Sequence, residues 1–543
     1  MKMSETDGLL RGEEDFNVYK KRSSWFKRVV FWFPACLSVL LILYIVVDKV
    51  ETEDKIDTNK KKNVIFMVTD GMGPASLSLA RSFKQFRDDL PFDAQLYLDE
   101  YLIGSSRTRS NSSLVTDSAA GATAFSCGLK SYNGAIGVDS LKNPCGTILE
   151  ALKLQGYLTG LVVTTRITDA TPAAFSAHAD YRFQEDLIAQ QQLGEYPLGR
   201  MVDLIIGGGK CHYIPSTIEG GCRADTRNLI EEFKHEWNFV GDRQAFDNLE
   251  NGNNVKLPLL ALLADTDIPY DIDRESKQYP SLQEQVKVAL TALSKATENS
   301  DKGFFLLIEG SRIDHAGHHN DPAAQVREVL AYDKAFKEVI DFVDLTNTDT
   351  IVISTSDHET GGLVTARQIS PNYPDYLWYP EVLLNAKHSG EYLAPKIYNY
   401  FKDKKDKQST KFVQKTLTED LGFKDVSDEE IKRVLESSND ISDLLYVLND
   451  LVSIRSQTGW TTHGHSAVDV NIYAYTNSKS LRNLLQSKNG LYGNRENIEI
   501  GKFMETITGS NLEKITKLIK DTDHKPNAQQ ITAFSQRALE ELF

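Results

Sequence analysis

Five apolar runs of strand length constrain the fold of this chain more than any other feature. They are NVIFMV from Asn63, LVVTT from Leu161, VDLIIGG from Val202, FFLLIE from Phe304 and TIVIST from Thr350. The runs are continuous rather than alternating, as in strands buried on both faces. Helical periodicity fills the intervals. SLQEQVKVALTAL puts Leu282, Val286, Leu290 and Leu293 on one stripe, and DPAAQVREVLAYDKAFKEVIDFV does the same with Val326, Val329, Leu330 and Phe336. Alternating strand and helix predict an α/β domain with a mostly parallel central sheet flanked by helices. A chain of 543 residues can bury one large core of this kind or two to three average ones.

The residues just after these runs point to a site. Thr69-Asp70-Gly-Met-Gly comes after the first, RITDATP after the second, GSRIDHAGHH after the fourth and SDHETGG after the fifth. Acids and histidines thus collect at the carboxyl ends of several strands, where open α/β sheets build their sites. DHAGHH offers Asp314, His315, His318 and His319, and Asp-x-x-x-His puts both side chains on one face of a helical turn. Asp357 and His358 are adjacent, and TTHGHS adds His463 and His465. Six of the 11 histidines lie in these three segments, and Asp with His suits zinc. The formal net charge of −15 argues against a nucleic-acid partner. It also disfavours anion binding unless bound cations reverse the local sign.

The N-terminus predicts a membrane anchor. Val29 to Val47 is 19 residues without a charge, about the length that crosses a ~30 Å hydrocarbon core. It is long for a signal peptide and lacks a small-residue cleavage site. Lys20, Lys21, Arg22, Lys27 and Arg28 precede it, which places residues 1–28 in the cytosol as a tail and the bulk of the chain across the membrane. In that tail ETDGLL, with Glu5, Leu9 and Leu10, resembles the acidic dileucine signal read by clathrin-type adaptors. Residues 48–62 read as a linker, 63–510 as the folded domain and 511–543 as a charged C-terminal tail. Roughly 366–459, rich in Pro, Tyr, Asn and charge, reads as an insertion capping the site. Cys127, Cys145, Cys211 and Cys222 are expected to pair as 127–145 and 211–222, and Asn111-Ser-Ser is the sole glycosylation sequon.

Ser118, in TDSAAGATAF, sits in no G-x-S-x-G elbow and has no partner histidine marked by sequence. A family resemblance supplies what would activate it. VTDGMG, TDSAAGATA, DATPAAFSAH, IEGSRIDHAGH, TSDHETGG and HGHSAVDVNIYAY resemble, in order, the signature blocks of the alkaline phosphatase family. The tail and anchor narrow the resemblance to its vacuolar membrane members in yeasts.

The resemblance implies two zinc ions and one magnesium ion. Asp314, His318 and His465 would hold one zinc; Asp357 and His358 the other, with Asp70 bridging to magnesium. Thr171 and Glu309 would complete the magnesium's protein ligands, while His319 and His463 stay outside the ligand sets. Ser118 would be the nucleophile, its hydroxyl activated by zinc instead of histidine. Arg182 would grip the phosphate with two parallel hydrogen bonds, oriented by Asp117; Arg166 is the competitor that the family pattern rejects. Asp169 and His315 would tune the third site, one residue from each of the family's two common patterns. The implied activity is hydrolysis of phosphate monoesters of broad specificity through a phosphoserine, by a homodimer facing the vacuole lumen. A phosphodiesterase or sulfatase of the same superfamily, or a catalytically silent membrane-anchored binding protein, is the alternative. The sulfatase context C/S-x-P-x-R is absent, and no expected ligand is missing.

Overall fold

The computed structural model describes residues 56–520, apart from 196 and 404–408. The expected cytosolic tail with Glu5, Leu9 and Leu10, the expected anchor at 29–47, most of the expected linker and everything past 520 lie outside the described residues. Among the described residues, no helix is long and apolar enough to cross a membrane.

The five apolar runs become β1 (Lys62–Val68), β3 (Leu158–Arg166), β4 (Leu204–Gly208), β7 (Phe304–Glu309) and β8 (Asp349–Thr355). They are contiguous in space, in the order β8-β1-β7-β3-β4, and all parallel. Every residue of β1 and β7 is buried, as an unbroken apolar run requires when helices cover both faces. Five further strands complete a ten-stranded sheet: β2 (Leu102–Arg107), β5 (Asn238–Val240), the short but wholly apolar β6 (Leu259–Leu262), β13 (Val470–Thr476) and β14 (Gly493–Glu496). Only β13 runs against its neighbours, β8 and β2. The two helices predicted from periodicity span Leu282–Ala296 and Pro322–Leu345, and their stripes are buried against the sheet's main core.

Four short strands lie outside the sheet. β9 (Glu359–Thr360) pairs with β12 (His465–Ser466), setting His465 opposite Thr360. β10 (Val364–Thr365) pairs with β11 (Thr458–Gly459), so the excursion between them leaves and returns at one point. That excursion is largely helical. Its helix Ile441–Ser456 docks on the segment after the DHAGH run: Asn449 donates to the His319 carbonyl and Ser453 to that of Asn320.

Disulfides join Cys127 to Cys145 and Cys211 to Cys222. The folded part runs past 510. Helix Leu512–Lys520 buries Leu512, Ile515 and Ile519, an i, i+3, i+7 stripe set among lysines, and Gly146 donates its N–H to Thr516 Oγ1.

Candidate active site

Strand register dissolves the sequence separation between the acids. Val68 at the end of β1 lies opposite Glu309 on β7 and Thr355 on β8. Asp70, Glu309 and Asp357 therefore emerge at one level of the sheet's carboxyl edge. Gly71, at φ +76°, turns the chain where a Cβ would strike Asp314, so only glycine allows this approach.

Three histidines aim one nitrogen each at the same space. His318 Nδ1 is held by the His463 carbonyl, His465 Nδ1 by the Thr116 carbonyl at 2.7 Å, and His358 Nδ1 by the Thr360 hydroxyl at 3.1 Å. Such partners orient the ring and leave Nε2 to bind a metal. His465 Nε2 is 3.1 Å from His318 Nε2 and 3.6 Å from Asp314 Oδ1; His318 Nε2 is 3.2 Å from Asp314 Oδ2. His358 Nε2 is 3.2 Å from Asp357 Oδ2 and 3.4 Å from Asp70 Oδ1. The His358 and His465 rings stack at 3.5 Å, which joins the two clusters. His358 belongs by distance to both, because Asp314, His358 and His465 form one close group and Asp70, Asp357 and His358 another.

Ser118 opens the helix Ser118–Cys127, with Asp117 as its N-cap accepting from Ala120 N–H at 3.0 Å. The Ser118 hydroxyl lies 3.1 Å from His358 Nε2 and 3.4 Å from Asp70 Oδ1. Small residues permit this closeness: a Cβ on Gly121 would come within 2.9 Å of Asp357 Cβ. Asp117 Oδ2 also accepts from Gly134 N–H and faces Arg182 Nη1 at 3.5 Å, while Arg182 Nη2 donates to Asp169 Oδ1 at 3.0 Å. Burial opposes charge on Arg182, but Asp169, Asp117 and Asp70 outweigh it and keep the guanidinium protonated. Arg166 is already bound by carboxylates, Glu185 and Asp267 at 2.9 Å each, with Asp169 at 3.7 Å.

Beside Asp70 lie Glu309, which accepts from the Ser311 hydroxyl at 2.6 Å, and Thr171. The Thr171 hydroxyl is buried without a well-formed hydrogen bond, yet is close enough to Glu309 to favour that carboxylate's charged form. His315 stands between two carboxylates, Nε2 at 3.9 Å from Asp169 and Nδ1 at 3.6 Å from Asp267. Asp267 is not foreseen from the sequence, where it is one of several acids in DTDIPYDID and no spacing marks it. Its role comes from neighbours on β3 and on the helix Arg312–His318. His463 and His319 lie beside the ligand groups: His463 Nδ1 meets the His318 carbonyl, and His319 Nδ1 meets Tyr270.

So many buried acids in one place must hold protons or bind cations. Burial, with Asp357, Asp314 and Glu309 nearby, pushes the Asp70 pKa well up, and burial lifts Glu309 to about 8. Asp314 and Asp357 are buried too, but adjacent histidines hold them below the usual carboxylate range. Asp357 Oδ2 and Thr171 Oγ1 are buried without a satisfied hydrogen bond. Such groups are rare unless a metal or water completes them. Mixed carboxylate and imidazole donors fit zinc in the two histidine clusters, and the oxygen-only set of Asp70, Thr171 and Glu309 fits magnesium.

Buried carboxylates, imidazoles and a serine thus meet at the carboxyl edge of an α/β sheet, and comparison with known proteins gives the family. Residues 61–510 match the alkaline phosphatase family, to which this chain belongs. The chain is 55% identical over 537 residues to the repressible alkaline phosphatase of Saccharomyces cerevisiae, covering 96% of this chain and 94% of that protein. It is 50% identical over 470 residues to the alkaline phosphatase of Schizosaccharomyces pombe, covering 86% and 84%. Among solved structures, a cold-active alkaline phosphatase from Shewanella sp. superposes with a TM-score of 0.67 at 30% identity, covering 82% of this chain and 99% of that one.

Proposed function

We propose that this chain hydrolyses phosphate monoesters of broad specificity through a phosphoserine at Ser118, with two zinc ions and one magnesium ion. The observation that carries the proposal is the Ser118 hydroxyl, at a helix N-terminus and 3.1 Å from His358 Nε2, with Arg182 held nearby between two carboxylates. Asp314, His318 and His465 would hold one zinc, Asp357 and His358 the other with Asp70 shared, and Thr171 and Glu309 would join Asp70 on magnesium. When bound, zinc supplies the Lewis acidity that brings a hydroxyl's pKa towards neutrality. An Antarctic TAB5 alkaline phosphatase with a histidine-to-aspartate change, solved with magnesium in its M3 site, supports a magnesium-accepting third site.

The chain's own groups then account for the rest. Ser118 Oγ, its proton given up to solvent, attacks phosphorus; the serine oxygen–phosphorus bond forms as the ester oxygen–phosphorus bond breaks, and the alkoxide takes a proton from water and leaves as the alcohol. Backbone N–H groups at the helix start and the Arg182 guanidinium donate to the non-bridging oxygens, whose charge rises in the transition state. Asp117 and Asp169 keep that guanidinium in place. Water then cleaves the phosphoserine and releases inorganic phosphate. Contact is mostly with the phosphoryl group, which favours a wide range of alcohols.

The charged N-terminal tail and apolar segment at 29–47 support a single-pass type II membrane protein, and the resemblance to the vacuolar members of the family adds the vacuole, with the site in its lumen. A homodimer and adaptor sorting through Glu5, Leu9 and Leu10 belong to the same reading. Hydrolysis of p-nitrophenyl phosphate tests the activity. Turnover should exceed that of the matching diester and sulfate and vanish with a chelator; Ser118→Ala should lose most turnover while retaining phosphate affinity. Trapping of phosphoenzyme by Ser118→Ala at wild-type yield would show the nucleophile to be another residue.

A further inference from the structure

Among the residues of the two histidine clusters, His318 is the exposed one, at 37%, while Asp70, Asp314, Asp357, His358 and His465 are 10% or less; Arg182 at 21% and His315 at 24% are exposed on the phosphate side. An in-line displacement places the attacking and leaving oxygens on opposite sides of phosphorus. Ser118 approaches from the Asp70–Asp357–His358 side, so the ester oxygen faces the Asp314–His318–His465 side. The alcohol must therefore project past His318, the one exposed member of that group.

Two rings stand there. His463 is fastened to His318 by reciprocal contacts, each Nδ1 to the other's carbonyl, and its side chain faces solvent. Tyr446, on the excursion's helix Ile441–Ser456, packs on it with ring centroids 4.4 Å apart and an interplanar angle of 44°, and is itself 38% exposed. The same helix is anchored one turn on by Asn449 to the His319 carbonyl, so the excursion fixes Tyr446 against this rim. Rings held rigidly with open faces bind flat groups at low entropic cost.

We infer that Tyr446 and His463 form a shelf for the alcohol portion of the substrate, favouring phosphate monoesters whose alcohol carries a flat ring, such as nucleoside monophosphates. The inference rests on the catalytic reading above and deepens it: cleavage remains broad, while affinity is graded by the leaving group. Tyr446 supplies binding and takes no part in bond making.

The test is calorimetric binding to metal-loaded protein on the Ser118→Ala background, so that turnover does not intervene. Adenosine monophosphate, glycerol phosphate and inorganic phosphate are the probes. Tyr446→Ala and the volume-keeping Tyr446→Leu should weaken adenosine monophosphate about 5-fold or more, in line with base–aromatic stacking, and leave the other two ligands unchanged. Tyr446→Phe should match the parent. Equal affinities of adenosine monophosphate for the Ala, Leu and Phe variants, or parallel weakening of glycerol phosphate, would overturn the shelf. Failure of inorganic phosphate to bind the Ser118→Ala parent would instead strike at the site itself, and the shelf with it.

Discussion

Gly121→Ala adds one methyl group to the helix that presents Ser118, at the point where the helix meets Asp357. The new Cβ would sit 2.9 Å from Asp357 Cβ, 3.6 Å from its carbonyl oxygen and 3.7 Å from its Cα. Ordinary carbon contacts lie near 3.5–4.0 Å, so helix and strand end must part by about 0.5–1 Å. Neither side yields easily, because Asp357 Cβ is tied to backbone and the helix is capped by Asp117. Overpacking of this kind costs about 1–3 kcal/mol of stability. The effect on chemistry should be larger, since Ser118 Oγ begins only 3.1 Å from His358 Nε2 and a ~1 Å misplacement can cost about 100-fold in rate. Steady-state turnover of p-nitrophenyl phosphate, zinc content by mass spectrometry and thermal unfolding should be measured together. The expected result is a roughly 10- to 100-fold fall in kcat with a modest loss of stability. Full zinc content would locate the fault in Ser118, and depleted zinc in Asp357. Wild-type turnover and zinc content would refute the claim that the helix start is held against Asp357.

Other parts of the molecule respond to metal, pH and charge. Stripping the metals with a chelator should lower the unfolding temperature and zinc should restore it, because Asp70, Asp314, Asp357 and Glu309 would be left facing one another; unchanged unfolding would deny the repulsion. Burial raises buried Glu328 to about 8, so its contribution is complete below the unfolded value near 4.5 and is lost as pH rises through about 8; Glu328→Gln should be more stable relative to wild type at pH 9 than at pH 5, and a pH-independent difference in melting would contradict this. His315→Lys puts a fixed cation between Asp169 and Asp267 and should tighten inhibition by inorganic phosphate near pH 9, where imidazole is neutral; equal inhibition would separate His315 from the phosphate network.

The centre of the fold was legible in the sequence and the margins were not. Runs such as FFLLIE have the length and composition of strands covered on both faces, and the five that stand out are five adjacent inner strands. LIGSSR and GNRE, which became β2 and β14, have no apolar face to announce them; they pair at the sheet's edge, where burial makes fewer demands. The acids and histidines around the site could be nominated because they come directly after strands and match a family pattern. Their supports could not. Asp267, Thr360 and the carbonyls of Thr116 and His463 act through three-dimensional proximity alone, and a carbonyl has no residue type to read. The Leu512–Ile515–Ile519 stripe was hidden because lysines surround it.

The place of β2 in the sheet has a consequence for how the protein is made. Its neighbours are β13 and β14, so residues 102–107 have no strand to join until the chain has grown past 470. At the ~5–20 residues per second of synthesis, those roughly 360 residues take about 20–70 s. Through that interval the nascent chain carries a strand open on both edges, only ten residues ahead of Ser118. Two serines, a glycine and a terminal arginine make it a poor template for another chain, as an edge that must wait requires. His465 emerges from the ribosome in the same late stretch, so the grouping of Asp314, His358 and His465 and the closing of the sheet both wait for residues past 460.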